Sequence, residues 1–238
     1  MGFFDFFRRK SKVEHPNTMA VSFSAPKTNG NIKELWDAGS EREWQNALAS
    51  YYELMRPEQR SLERIIVQAG PDVVKRLDGY AFYEFLHDTY FVWKYTAKNR
   101  LATTRKNLEK YILNNELPIL KNIQTRLFST SSKDTEKCLK ITCEIHGLGT
   151  AGASGLLALL FPEDFGTVDQ FVIKRLQEVN HPVYNAALNS MNPEVVKIKE
   201  GVIVVNILKE KASELNRRFK TDFWTPRKID MVLWSYGR

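Results

Sequence analysis

The sequence predicts an all-α protein, and three observations carry that prediction. Apolar residues recur at three- and four-residue intervals in one segment after another. Helix-start signals, Thr225-Pro226 ahead of Arg227 among them, stand where such segments begin. No alternating run forms a convincing strand ladder, and Gly201-Val202-Ile203-Val204-Val205 alone is indecisive by period.

In chain order, Met1-Gly2-Phe3-Phe4-Asp5-Phe6-Phe7-Arg8-Arg9-Lys10 is aromatic and then basic. Such a segment suits a tail that docks on its own domain or a partner, or a weak interfacial anchor. Phe6 breaks the myristoylation pattern. From Ser11 to Gly30 the chain turns to Ser, Pro, Asn, Lys and Gly without period. Residues 1–30 therefore read as an irregular arm and 31–238 as the folded domain. Glu41 to Leu48 and Pro57 to Ile66 carry the spacing of amphipathic helices. A longer helical block, Tyr80 to Asn114, is dense in aromatics first and in Lys and Arg afterwards. Ser129 to Asp134 interrupts the pattern, and a helix then leads to Glu144. After Gly147-Leu148-Gly149, one face formed by Ala153, Leu156, Leu157, Leu160 and Phe161 predicts a core-facing helix closed by Pro162. The last helix, Arg227 to Tyr236, shows Ile229, Val232, Leu233 and Trp234 as its stripe. Roughly ten helices are expected at ordinary helix length.

Thirty-five Lys and Arg against 28 Asp and Glu give a net charge of +7, which favours nucleic acid or an anionic membrane surface as partner. Net charge does not choose between them. The two cysteines, Cys138 and Cys143, form no CxxC and join no further Cys or His at metal spacing. No metal, iron-sulfur cluster or other cofactor is expected, and so few cysteines suit a reducing compartment. No run of eighteen or so apolar residues and no continuous apolar signal-peptide core occurs. A soluble, cytoplasmic protein is expected.

The chemistry concentrates around residue 147. A Gly-x-Gly between two helices permits a sharp turn and leaves the first amides of the second helix without partners. Those amides suit a phosphate, and glycines let a nucleic-acid backbone approach unobstructed. Gly-Leu-Gly is also an ordinary helix connector. Further residues extend the pattern. The stretch His146 through Leu176, containing Gly147-Leu148-Gly149-Thr150-Ala151 and Val168-Asp169, resembles the signature region of the helix-hairpin-helix DNA glycosylases of the endonuclease III type. The interval from Gly147 to Asp169 matches that pattern without a gap, and Trp234 to Arg238 resembles the family's closing helix more faintly.

The resemblance implies two helical lobes with a cleft between them. It implies that Gly147, Leu148, Gly149, Thr150 and Ala151 hold the DNA backbone and that Asp169 is the catalytic carboxylate. A fixed negative charge stabilises the oxocarbenium character that develops when a C1′–N bond breaks, and a helix start favours negative charge. Asp169 also reads as a helix cap reaching Val172, a role compatible with catalysis. Ala151 stands where relatives with lyase activity carry a Schiff-base lysine, which implies base removal with the strand left intact. Gln170-Phe171 replaces the family's Thr-His after the aspartate, so the kind of base is open. Many relatives continue into a four-cysteine iron-sulfur loop where this sequence stops.

A base taken out of the stack needs a pocket of aromatic and hydrogen-bonding groups. Tyr90 to Arg100 is the richest supply; most of its aromatics suit the core, while Lys94, Tyr95, Asn99 and Arg100 are the polar candidates, with His146 and Gln170 beside the hairpin and the carboxylate. His146 equally suits a packing role. The expectation is a monomeric, monofunctional DNA N-glycosylase acting on a damaged or modified base in double-stranded DNA, in base excision repair or in defence against phage with modified bases. A non-catalytic DNA-binding protein that keeps only the hairpin, or a helical protein-interaction module, are the alternatives.

Overall fold

The computed structural model describes residues 31–236. The aromatic-basic segment and the rest of the 1–30 arm lie outside the described residues, as do Gly237 and Arg238. All regular structure among the described residues is helical, as the period predicts. The order is α1 (Ile32–Ala38), α2 (Glu41–Leu54), α3 (Pro57–Arg76), α4 (Gly79–Glu84), a π-helical stretch (Phe85–Tyr90), α5 (Phe91–Lys94), α6 (Lys98–Leu108) and α7 (Lys110–Leu113). There follow α8 (Leu117–Ser129), α9 (Thr135–Cys143), α10 (Thr150–Leu160), α11 (Gln170–Val179), α12 (Asn185–Ser190), α13 (Ile198–Phe219) and α14 (Pro226–Tyr236).

Local chemistry sets the starts. Ser40 and Glu43 form a reciprocal capping box on α2, Asp78 caps α4, Asp134 caps α9, and Thr225 Oγ1 accepts from Lys228 N at 3.3 Å ahead of α14. Pro57 opens α3, whose Gly70 (φ 67°) and Pro71 bend it before it ends. The pieces outnumber the roughly ten helices expected from ordinary length, because the Tyr80 to Asn114 block is cut. Tyr95 turns extended (φ −109°, ψ 94°) and ends α5, so the aromatic half and the basic half lie on different helices.

Two sequence expectations are refined by packing. Residues 201–205, indecisive by period, are helical in α13: Gly201 is buried, and a Cβ there would come within 2.6 Å of Thr150 Cγ2. Tertiary contact with the start of α10 overrides the strand propensity of the valines that follow. The helix read as apolar on one face, α10, is buried along its whole length except at Ala151. It packs against α3, α9, α13 and α14 at once, which leaves no solvent face for polar residues.

Helices α2, α11 and α13 pack on α14, and α1 lies on α11. On the other side α3 packs on α5, α8 and α10, and α9 joins α8 to α10. Trp44 is wedged between Trp36 and Trp224, with ring centroids 6.2 Å and 5.7 Å away; aromatic burial of this kind carries much of the hydrophobic stabilisation. No helix among the described residues is long and apolar enough to cross a membrane.

Candidate active site

The hairpin between α9 and α10 is closed by Leu148 N donating to Ile145 O at 3.0 Å. Gly147 adopts φ 93°, and a Cβ on it would meet Thr104 O at 2.8 Å, so this place admits only glycine. Gly149 is different: its φ of −99° suits any residue, and a Cβ there would meet nothing within 4 Å. The space in front of it is open. Ala153 N makes the first helical bond, to Gly149 O, and no side chain caps α10. The amides of Thr150, Ala151 and Gly152 are thus left without intrahelical acceptors at a positive helix end. Leu148 and Thr150 are themselves buried and anchor the turn from below.

Asp169 stands at the head of α11. Its Oδ1 accepts from Phe171 N at 3.0 Å and Val172 N at 3.2 Å, so it caps the helix as its sequence position suggests. Oδ2 remains for other work, 3.9 Å from Lys94 Nζ. The approach to Asp169 is tied down on both sides: Val168 N donates to Ser154 Oγ of α10 at 2.8 Å, and Thr167 N donates to Asp230 of α14. The carboxylate is therefore positioned relative to the hairpin through α10 itself.

Asp169 and Ala151 line one cleft of about 670 Å³. Lys94, Tyr95, Arg100 and Gln170 line it as well. The Arg100 guanidinium lies 6.0 Å from the centre of the Tyr95 ring, and burial pushes the Tyr95 phenol up to about 12. Two candidates stand elsewhere. Asn99 is exposed and accepts from Arg100 N at the start of α6, and it does not line the cleft. His146 stacks on Tyr111, centroids 4.2 Å apart and planes at 15°, with its Nδ1 buried and unpartnered; this is the packing role, away from the cleft.

The cleft has a polar floor that sequence reasoning missed. Arg227 of α14 is buried and donates to Asp230 at 2.6 Å, Glu63 of α3 at 3.0 Å and the Tyr51 hydroxyl of α2 at 2.6 Å. Trp93 Nε1 donates to the same Glu63 oxygen at 2.9 Å. Burial pushes Asp230 up to about 7, against the pull of Arg227 and the Thr167 amide; nearby Asp169 adds to the rise. Arg227 is held well above the usual guanidinium range by Asp230, Tyr51 and Glu63, which outweigh its burial. The single local hint was Arg227 and Asp230 at i,i+3 spacing just after a Thr-Pro cap; Glu63 and Tyr51 carry no signal linking them to it. Gln59 also lines the cleft, and its Oε1 is buried without a partner.

Cys138 is buried and Cys143 half-buried, both free thiols, and burial pushes Cys138 up to about 11. No cluster of His, Cys, Asp and Glu among the described residues is arranged to hold a metal ion. No family model matches the chain, and neither a curated protein nor a solved structure matches it.

Proposed function

We propose that this chain is a DNA N-glycosylase that hydrolyses the bond between a damaged or modified base and its sugar and leaves an abasic site. The observation that carries the proposal is the shared cleft: Ala151, at the uncapped start of α10, and Asp169, with one oxygen not used in capping, line the same space. In this reading the α3 to α10 helices and the α2, α11, α13, α14 group act as two lobes around that cleft. The amides of Thr150 and Ala151 receive a DNA phosphate, helped by the helix dipole and the open space before Gly149. The target base swings into the cleft, where Tyr95 supplies an aromatic wall and Gln170, Arg100 and the buried Gln59 supply polar contacts. Asp169 supplies negative charge against the oxocarbenium-like sugar and orients the attacking water. Position 151, an alanine, contributes no amine to this chemistry. The protein works as a monomer in the cytoplasm, on its own genome or on invading DNA with modified bases.

The test is incubation of the full chain with duplexes that each carry one modified base, followed by alkali. Alkali-labile sites at one or a few of these bases are the expected result. Salt-dependent DNA binding with equal affinity for modified and plain duplexes, and no labile site, would identify a binding module instead. No DNA binding at all would leave neither.

A further inference from the structure

A second cationic feature lies outside the cleft. Helix α8 packs beside α9, and between them runs an open groove of about 530 Å³. Arg126, Ser129 and Thr130 form one wall, and Lys137, Lys140, Ile141 and Glu144 form the other. Three cations thus share the groove with one carboxylate, and that carboxylate is already neutralised: Arg126 donates to its two oxygens at 2.6 Å and 2.7 Å. Lys140 pairs with Glu136 at 2.7 Å on the open surface. Lys137 is exposed and forms no ion pair among the described residues.

The end of a helix ordinarily repels anions through its last carbonyls. At the end of α8, Ser129 Oγ donates to Thr125 O at 2.7 Å and Thr130 Oγ1 donates to Arg126 O at 2.9 Å, so side-chain hydroxyls occupy two of those carbonyls. The apolar residue of the lining, Ile141, is buried. A bilayer surface is held by apolar groups that insert as well as by charge, and the groove presents none; a phosphodiester backbone needs only the cations.

The groove also continues from the hairpin. Glu144 follows the last turn of α9 and stands three residues before Gly147. Lys140 and Lys137 lie one and two turns back on the same helix, about 6 Å and 10 Å along its axis from Glu144. That reach equals about two to three base steps of duplex at 3.4 Å per step.

We propose that the α8–α9 groove is a second nucleic-acid site, which takes phosphodiesters flanking the one held by the hairpin, through Lys137, Lys140 and Arg126. The inference rests on the DNA reading above and extends it: the hairpin fixes one phosphate, and the groove sets the direction in which the duplex leaves it. The contact is independent of sequence because it reaches phosphates alone. Glu144 opposes it by occupying the Arg126 guanidinium, whose paired donors suit a phosphate as well as a carboxylate.

The experiment measures the affinity of the full chain for a plain duplex of mixed sequence between about 50 and 200 mM salt. The double variant Lys137→Gln, Lys140→Gln changes two exposed side chains and should keep the circular dichroism of the parent. It should bind about tenfold more weakly, with a log-affinity against log-salt slope shallower by about 2. Glu144→Gln frees Arg126 and should bind more tightly than the parent. Parental affinity and slope in the double variant would overturn the groove and leave the hairpin reading standing, and weaker or unchanged binding by Glu144→Gln would also overturn it. So would a double variant that keeps duplex binding but loses binding to phosphatidylserine vesicles, which would place the groove on a membrane. These variant effects in a chain that binds duplex but releases no base would support the groove and remove the glycosylase; a parent that binds no duplex would remove both.

Discussion

Asp169 performs a structural task that can be separated from its chemical one, and the separation has a size. Its Oδ1 accepts the amides of Phe171 and Val172 at 3.0 Å and 3.2 Å. Asparagine offers the same acceptor and is as good a cap as aspartate, so Asp169→Asn should leave stability within about 0.5 kcal/mol of the parent. Asp169→Ala removes the cap, which costs about 1 kcal/mol and lowers Tm by about 2–4 °C in a chain of this size. Catalysis should divide the other way. Both variants lose the fixed charge, and losing one electrostatic contribution of this type costs about 10²–10³ in rate. The assay is single-turnover base release, read by alkaline cleavage, beside calorimetric unfolding of the three proteins. Equal loss of rate in Asn and Ala, with only Ala less stable, is the expected pattern. An Asn variant within threefold of the parent rate would refute the catalytic assignment and leave Asp169 a cap.

Three further outcomes follow from the same geometry. Arg227→Met leaves Glu63 and Asp230 buried without their shared cation; unfolding should become easier by about 3–5 kcal/mol, a Tm drop of roughly 6–20 °C, and a loss below about 1 kcal/mol would mean that water reaches the network. Gly147→Ala must strain a φ of 93° and displace Thr104 at about 1–3 kcal/mol, whereas at Gly149 a Cβ meets nothing within 4 Å, so Gly149→Leu should cost at most about 1 kcal/mol yet weaken duplex binding about tenfold; full-strength binding by Gly149→Leu would place the DNA elsewhere. The folded chain keeps the Asp230 proton up to about pH 7, while an ordinary aspartate releases it near 3.8. The folded state therefore binds more protons between those values, and this residue's contribution to stability falls as pH rises through that window. His181, lowered by burial, works oppositely and loses stability as pH falls below its unfolded value. Denaturant unfolding at pH 5 and pH 7.5 should thus show a slope that Asp230→Asn removes; an unchanged slope would count against a protonated Asp230.

What could be read from the sequence was local. Period and capping revealed the helices because each depends on neighbours within a turn or two, as with Thr225 before α14. The hairpin and Asp169 were legible for the same reason, since glycine and a cap leave a short-range signature. The buried floor was not. Arg227 meets Tyr51 and Glu63 across 176 and 164 positions of chain, and no periodicity records such a meeting. Helix α10, buried except at Ala151, reads as one-faced in sequence because its small residues, Thr150 to Gly155, conceal how many neighbours it admits.

The surroundings of Asp169 show how this limit affects the site. In sequence, positions 94 and 151 are unrelated, and an alanine at 151 argues against strand cleavage. In space, Lys94 and Ala151 line the same cleft beside Asp169, because Tyr90 of the preceding π-helical stretch donates to Gly152 O and holds it against α10. Glycines at 152 and 155 allow that approach: a Cβ at either would collide with the Tyr95 or Tyr90 hydroxyl at 2.5 Å or 2.9 Å. The small residues that make α10 unremarkable as sequence are thus what bring an amine from another helix to the carboxylate. Which atoms share a cavity is decided by such long-range packing, so the neighbours of Asp169 come from helices that its own segment does not name.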